Sequence, residues 1–303
     1  MKIAVLVPTY RRPADLARCL AALGRQSRPA ERVIVVARAG DDATAAVLRE
    51  PRPLPLSVVL VEQGGVVAAL NAGLDAVTAD VVAFTDDDAA PRPDWLERVA
   101  EHFALDAALG GLGGRDWIHH GAKLEDGARR LVGKVSWFGR CIGNHHLGVG
   151  PPREVDVLKG VNMSFRTQAL KGIRFETRLL GGGAQVCNEL GVSLAVKQRG
   201  WKLLYDPAVA VDHYPSIRHD EDQRNAFSRD AVRNAAFNET LLLCEHLGGW
   251  RRVVFLAWAL AIGSRAAPGF VQWLRLLVQQ FDTATQRFGA TLAGRIAGWT
   301  AAR

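Results

Sequence analysis

Short apolar runs alternate with helical patterns over the first hundred residues of the chain. The runs are rich in Val, Ile and Leu and are apolar throughout, as strands buried on both faces are: residues 2–8, 32–37, 56–61 and 81–84. Between them, residues 14–24 and 66–77 carry apolar side chains at helical spacing, and a further helix opens near residue 43. This alternation predicts an α/β fold, with a mostly parallel, Rossmann-like central sheet covered by helices on both faces.

The pattern is less regular beyond residue 100. Four glycines within residues 110–114 predict a strand close to another backbone, or a turn. Strand character returns at 154–166, 202–206 and 208–213, and residues 190–196 are helical, with Gly200 ending that helix. After a charged stretch, helices are predicted at 234–248, 253–263 and 270–281. We therefore expect two halves, 1–115 and 116–216, and a C-terminal helical extension at 217–303.

Three consecutive carboxylates, Asp86, Asp87 and Asp88, directly follow the apolar run 81–84. Burying such a like-charge cluster costs several kcal/mol unless a cation or hydrogen-bond donors compensate. The carboxyl end of a strand in an open α/β sheet is where ligands usually bind. Oxygen ligands suit Mg²⁺ or Mn²⁺, which commonly bridge a carboxylate to the phosphates of a nucleotide. The alternative is a solvated acidic turn that caps a helix after Pro91.

Composition narrows the classes of partner. The 303 residues carry a formal net charge of +7, which favours an anionic partner such as a nucleotide phosphate or an acidic lipid surface. No nucleic-acid motif and no basic run with interleaved aromatics is present, so we expect no nucleic acid. Four scattered cysteines without a CxxC pair fit a reducing cytoplasm, and the first residues are not those of a signal peptide.

Four stretches, in this order and spacing, resemble the nucleotide-binding half of family 2 glycosyltransferases, which have the GT-A fold: VPTYRRPADLARCLAAL, RVIVV, GGVVAALNAGL and ADVVAFTDDDAAPRPDWLERV. The resemblance implies a nucleoside-diphosphate sugar donor and a divalent ion, Mg²⁺ or Mn²⁺. Asp86 and Asp88 match the outer positions of the metal-binding DxD motif. The donor contacts that it implies are Pro8, Thr9, Tyr10, Arg12, Arg38, Asn71, Asp86 and Asp87. Arg38, or a displaced Asp41, stands where the family often has an Asp that contacts the nucleobase.

The catalytic pair of the family is altered here. Counting back from Gly200, its Glu-Asp pair falls on Asn188 and Glu189. The resemblance implies that Glu189 is the base of an inverting transfer. Two alternatives are a helix N-terminal acid with no catalytic role, and an inactive donor-binding partner of another transferase. His213, which ends a strand, is carried over as a third metal ligand, and a neutral imidazole suits Mn²⁺ better than Mg²⁺. Its alternative is an ordinary structural histidine.

The acceptor side is the least defined part of the sequence. The candidate acceptor residues are Trp137, Lys159, Asn162 and Asn188. Asn162, which is polar in a predicted strand, has either a structural hydrogen-bonding role or a substrate-binding one. We expect a glycan or lipid-linked acceptor in bacterial cell-envelope or exopolysaccharide synthesis.

The C-terminal extension carries arginines and tryptophans beside apolar faces. Its apolar run of about eleven residues is short of the roughly twenty that a spanning helix needs. The pattern is typical of a helix lying on a membrane surface. The alternatives are helices packed on the catalytic domain or on a second subunit of a homo-oligomer. We therefore expect a cytoplasmic protein at the inner face of the cell membrane.

Overall fold

The computed structural model describes residues 1–218, 220–223, 226–279 and 281–302. The N-terminal elements are β1 (Ile3–Thr9), α1 (Pro13–Leu23), β2 (Arg32–Arg38), α2 (Asp42–Arg49), β3 (Leu56–Val61), α3 (Val66–Asp75), β4 (Val81–Phe84), β5 (Ala89–Pro91) and α4 (Trp95–Leu105). The middle elements are β6 (Leu109–His120), β7 (Lys123–Leu124), β8 (Lys134–Val135), β9 (Cys141–Ile142), β10 (Arg153–Glu154), β11 (Met163–Arg166), α5 (Asn188–Gln198) and β12 (Lys202–His213). The C-terminal helices are α6 (Arg229–His246), α7 (Arg251–Ala261), α8 (Phe270–Leu277) and α9 (Phe281–Ala301).

The central sheet has the predicted α/β architecture. Its strand order is β10-β12-β6-β11-β4-β1-β2-β3, with β5 added on β12 and β7 on β6. Strands β4, β1, β2 and β3 are parallel, and so are β6 and β12, whereas β11 lies antiparallel between β4 and β6. The carboxyl ends of β1, β2 and β4 therefore meet at one edge, which receives the loops that carry the predicted donor residues.

Several predicted elements are corrected by the structure. The runs 202–206 and 208–213 form one strand, β12, with an irregular register between Asp206 and Val211. The segment 154–166 contains two short strands, β10 and β11, instead of one. The predicted helix 270–281 ends at Leu277, and α9, which the sequence pattern did not predict, follows it. Strand β6 passes without a break through positions 115 and 116, where the two predicted halves meet.

The acidic cluster does not cap a helix, so that alternative is wrong. After Asp88 the chain enters β5, which pairs antiparallel with the end of β12. Helix α4 begins only at Trp95, and its N-cap residue is Asp94. The pairing between β5 and β12 brings His213 level with Ala89. His213, which follows Asp88 by 125 positions in the chain, is thereby fixed beside the acidic loop.

The glycines of β6 allow its close approach to neighbouring elements, as predicted. A Cβ atom on Gly114 would lie 1.5 Å from the Val209 carbonyl oxygen, so no side chain fits there. A Cβ on Gly110 would lie 2.4 Å from the side chain of Trp201. These glycines are explained by packing, and they need no phosphate-binding role.

The chain divides into two compact units. The sheet unit comprises Met1–Lys134, Ile142–Phe175 and Val192–Ser216, and the helical unit comprises Val135–Cys141, Glu176–Gly191 and Ile217–Arg303. Within the sheet unit, Phe84 contacts Phe165 and Phe175 edge-on, with ring centroids 6.2 and 5.7 Å away. Within the helical unit, the buried Arg295 of α9 forms an ion pair with Glu239 of α6 at 2.6 Å. No helix in the described ranges is long and apolar enough to cross a bilayer.

Candidate metal and donor site

The loops after β1 and β4 are joined by polar contacts around the acidic cluster. Thr9 donates its hydroxyl hydrogen to Asp87 Oδ2 at 2.8 Å. The Arg12 guanidinium is bidentate: Nη2 lies 3.1 Å from Asp87 Oδ1, and Nη1 donates to Asp88 Oδ2 at 3.1 Å. Asp87 and Asp88 are both buried, so these donors offset the repulsion that the sequence predicted. Thr9 and Arg12 therefore hold the acidic loop in place.

Asp86, Asp88 and His213 form a group that can bind a metal ion. One ligand atom from each residue lies within 4.8 Å of the other two. His213 Nε2 is buried 3.4 Å from Asp88 Oδ1 and has no hydrogen-bond partner among the residues that the structure describes. Two carboxylate oxygens and an imidazole nitrogen are a donor set that Mn²⁺ accepts well and Mg²⁺ less well. The residues present therefore fit a divalent cation.

The charges of this group favour a cation. Burial raises the pKa of Asp87 to about 7, although the Arg12 guanidinium opposes that rise. Burial by itself would raise the pKa of Asp88, but the nearby imidazole of His213, the Arg12 guanidinium and the hydrogen bond from the Ser216 backbone outweigh burial and leave this pKa well below its usual range. Burial by itself would lower the pKa of His213, but the nearby carboxylates of Asp116 and Asp88 outweigh burial and raise this pKa to about 9. The surrounding carboxylates thus stabilise a positive charge at this position, carried by a proton on His213 or by a metal ion that displaces this proton.

Asp116 supports His213 from the side away from Asp88. Its carboxylate is fully buried on β6, and its Oδ2 lies 3.5 Å from His213 Nδ1. The same carboxylate accepts a hydrogen bond from Lys159 Nζ. A carboxylate behind a histidine ligand fixes the ring orientation and the tautomer. The sequence analysis did not identify Asp116, although an acid within an otherwise buried strand was a signal for it.

We expect Asp116→Asn to weaken Mn²⁺ binding by about 10- to 100-fold, because His213 loses the carboxylate that orients it. The measurement is a Mn²⁺ titration followed by electron paramagnetic resonance, beside a thermal unfolding curve. Asp75→Asn is a matched control, since that exposed acid forms an ion pair with Arg174 on the surface. Equal Mn²⁺ affinity in Asp116→Asn and wild type would show that Asp116 has no supporting role.

The predicted base-contacting residues lie at the ends of β1 and β2. The guanidinium carbons of Arg38 and Arg11 lie 5.2 and 5.0 Å from the centre of the Tyr10 ring, within the range of cation–π contacts. Asp41 caps α2 by accepting from the Thr44 amide at 3.2 Å, and it accepts from the Arg11 amide at 2.6 Å. These contacts place an aromatic ring and two cations at the carboxyl ends of β1 and β2.

Two predicted ligand-binding asparagines use their amides inside the protein. Asn71 exchanges hydrogen bonds with the Phe175 backbone, at 2.9 Å to its carbonyl and 3.0 Å from its amide. The buried Asn162 accepts from Trp95 Nε1 at 2.9 Å and donates to the Val209 carbonyl at 2.8 Å. Of the two roles that the sequence left open for Asn162, internal hydrogen bonding accounts for its polarity.

Glu189 and Asn188 lie at the start of α5, in the helical unit. The backbone before them is strained, because Gln185 and Cys187 have positive φ angles of 40° and 73°. Asn238 of α6, which is fully buried, holds this loop by accepting from the Leu180 amide at 2.7 Å and donating to the Val186 carbonyl at 3.0 Å. Asn238 was not predicted, since a lone amide within a helical pattern gives no local signal.

Trp137 also belongs to the helical unit, where its ring is half exposed. It contacts the exposed Trp250 ring edge-on, with centroids 4.9 Å apart, and its carbonyl accepts from Arg251 Nε at 3.1 Å. The side chain therefore lies on an open aromatic surface.

His145 stabilises the segment that precedes Lys159. Its Nε2 bonds to the Val157 carbonyl at 2.9 Å, and its own carbonyl accepts from the Tyr205 hydroxyl at 2.7 Å. Burial lowers the pKa of His145 from 6.5 to about 4, although the bond to Val157 opposes that change. The folded protein therefore keeps this imidazole neutral where the unfolded chain protonates it.

We expect His145 to make the folded state less stable as the pH falls from 6.5 to 4. In this window the unfolded chain binds a proton at His145 that the folded protein does not bind, so the free energy of unfolding decreases by about 3 kcal/mol. Urea unfolding at several pH values, in wild type and His145→Gln, measures the difference. The variant should have a shallower acid dependence, and parallel curves would contradict the expected pKa.

The sequence is similar to a known protein family and to several curated proteins. Residues 4–177 match the model of a family described as glycosyl transferase family 2. The succinoglycan biosynthesis protein ExoM of Rhizobium meliloti is 35% identical over 118 residues, which are 37% of this chain and 38% of that protein. The chain spans less than half the length of the curated relatives that it matches.

Two solved structures share the fold at low sequence identity. A mannosyltransferase from Pyrobaculum calidifontis, in complex with GDP-Man and Mn²⁺, is 18% identical with a TM-score of 0.56, over 98% of this chain and 87% of that one. Residues 1–349 of TarS from S. aureus, in complex with UDP-GlcNAc, are 17% identical with a TM-score of 0.57, over 99% of this chain and 92% of that one. Because the family model covers more than half of the sequence, the chain belongs to glycosyltransferase family 2, and its fold is the GT-A fold that the resemblance implied.

Proposed function

We propose that the chain is an inverting glycosyltransferase that moves a sugar from a nucleoside-diphosphate sugar to a hydroxyl group of a glycan or lipid-linked acceptor. The observation that carries the proposal is the group of Asp86, Asp88 and His213 at the carboxyl end of β4. Within a family 2 fold, this is where a donor diphosphate and its cation are expected. The names of the two structural neighbours, with their nucleotide sugars and Mn²⁺, support the same donor class.

The donor side would be held by residues of the sheet unit. Asp86, Asp88 and His213 would hold Mg²⁺ or Mn²⁺, and the ion would neutralise the charge that develops on the leaving nucleoside diphosphate. Arg12, through its contacts with Asp87 and Asp88, holds the acidic loop against the loop after β1. The remaining proposed donor contacts are Pro8, Thr9, Tyr10, Arg38 and Asn71.

The proton transfer would belong to Glu189. The acceptor oxygen attacks the anomeric carbon while Glu189 takes its proton, and the bond from that carbon to the diphosphate oxygen breaks with its electron pair leaving on the nucleoside diphosphate. A single displacement from the opposite face inverts the anomeric centre. Glu189 lies in the first turn of α5, where the helix dipole is electrostatically favourable for a carboxylate.

The acceptor would be a glycan or a lipid-linked saccharide of the bacterial envelope or of an exopolysaccharide. The name of ExoM supports the second class. We retain Trp137, Lys159 and Asn188 as proposed acceptor contacts, whereas Asn162 is explained by its internal hydrogen bonds. The protein would act in the cytoplasm, at the inner face of the membrane.

A donor panel tests the reaction. The protein is incubated with GDP-mannose, UDP-GlcNAc and other nucleotide sugars, with Mn²⁺, Mg²⁺ or EDTA, in the presence of bacterial lipid and polysaccharide extracts. Release of the nucleoside diphosphate and a glycosylated product from one donor, only with metal, is the expected result. Donor binding without release under every condition would instead support the inactive donor-binding partner.

A further inference from the structure

The outer face of α7 is apolar, where a helix on a protein surface is normally polar. Its exposed apolar positions, with the residue before the helix, follow helical spacing and share one side: Trp250, Val253, Ala257 and Leu260. The opposite side of the helix buries Phe255 and Ala259. Helix α7 is therefore apolar towards the protein and towards solvent.

Helix α8 also exposes apolar side chains, but it has no buried side. None of its residues is buried. Its exposed apolar side chains share one side of the helix, and together with the residue after the helix they are Phe270, Val271, Leu274 and Val278. Val278 is 90% exposed. We call the exposed apolar residues of these two helices the α7–α8 face.

The segment that carries the α7–α8 face contains only positive charges. Residues 247–281 contain four arginines, Arg251, Arg252, Arg265 and Arg275, and no Asp or Glu, although the chain has 31 acidic residues. The segment thus contributes +4 to a protein with a net charge of +7. The segment that exposes these apolar side chains therefore contains no acid.

Two of these arginines line a cleft beside the α7–α8 face. The cleft has a volume of about 240 Å³ and is lined by Arg265, Gln272, Arg275, Leu276 and Gln279. Within the described ranges, neither Arg265 nor Arg275 forms an ion pair. Two guanidinium groups and two amides converging on one cleft are suited to a phosphate group.

We propose that the α7–α8 face docks on the surface of a bilayer containing anionic lipids. The apolar side chains enter the boundary between headgroups and acyl chains, and Arg265 and Arg275 contact lipid phosphates. A second copy of the chain is a poorer occupant, because a two-fold interface would set this +4 segment against itself. The inference deepens the proposed membrane location, but it does not depend on glycosyl transfer.

Vesicle co-sedimentation without donor or acceptor tests the proposal, so its outcome is separate from the transfer assay. The vesicles are pure phosphatidylcholine or phosphatidylcholine with one quarter phosphatidylglycerol. Wild type should bind the second kind, and the binding should weaken as salt is raised from 0.1 to 0.5 M. Arg265→Gln with Arg275→Gln should lower the partition coefficient about 30-fold. Val271→Asp with Leu274→Asp should abolish binding.

Leu60→Asp is the matched control, because Leu60 is an exposed apolar residue on β3, in the sheet unit. It should bind vesicles like wild type, and circular dichroism should show that all variants are folded. Equal binding to both kinds of vesicle would overturn the role of the arginines. Failure of wild type to bind, or undiminished binding by the Val271→Asp, Leu274→Asp variant, would overturn the proposal. So would a dimer in sedimentation that this variant converts to a monomer.

Discussion

Asp88→Asn is expected to lower kcat/KM for glycosyl transfer by about 10³-fold, the largest effect of any single substitution in the sheet unit. Asp88 is the acid that lies 3.4 Å from His213 and also accepts from Arg12. The amide keeps the shape of the side chain but removes the charge that a divalent ion needs. Initial rates at several Mn²⁺ concentrations measure the loss, and added Mn²⁺ should not restore the rate.

Two comparisons separate loss of the metal site from loss of the fold. Asp94→Asn removes an acid that is paired with Arg98 on the surface, and it should leave the rate within twofold of wild type. Thermal unfolding of Asp88→Asn should still be cooperative. An Asp88→Asn protein that retained wild-type turnover in EDTA would exclude the proposed metal role.

Glu189→Gln is expected to lower kcat by about 10²- to 10⁴-fold, because the acceptor hydroxyl loses its base. Donor affinity should change little, since the substitution alters no residue of the proposed donor site. Single-turnover rates, together with calorimetric donor binding, distinguish these two quantities. Glu189→Asp is the informative control, because it restores the residue type that the family resemblance places there.

The expected order of activity is wild type, then Glu189→Asp, then Glu189→Gln. Loss of activity in Glu189→Gln with intact donor binding would fit the role of a base. Full activity in this variant, with the fold intact, would contradict that role and leave the acid at the start of α5 as a helix-stabilising group.

The sequence predicted the N-terminal part of the fold because each strand there is apolar on both faces and each connection is short. The bounds of β3 and β4 agree with the predicted ones, and α1 differs by one residue at each end. Prediction was weaker where order depends on distant pairing. Strand β12 continues past Pro207 because β6 pairs with it on both sides of the irregularity between Asp206 and Val211, and β5 pairs with its end.

The candidate site likewise has one part that the sequence predicted and another that depends on distant pairing. The triple Asp could be placed from sequence because a strand end has a fixed position in a parallel sheet. The contacts of Arg12 with Asp87 and Asp88 join residues 75 and 76 positions apart, and that of Asp116 with His213 joins residues 97 positions apart. Such contacts follow from the register of β4, β6 and β12, which no local pattern specifies.

The most direct measurement of the proposed donor site is calorimetric binding of GDP and UDP, with Mn²⁺ and with EDTA. If Asp86, Asp88 and His213 hold the ion that contacts the diphosphate, one nucleotide should bind at least tenfold more tightly with Mn²⁺, and Asp88→Asn should remove this difference. Equal nucleotide affinity in Mn²⁺ and EDTA, or an undiminished Mn²⁺ effect in Asp88→Asn, would contradict the proposed metal-binding role of these three residues.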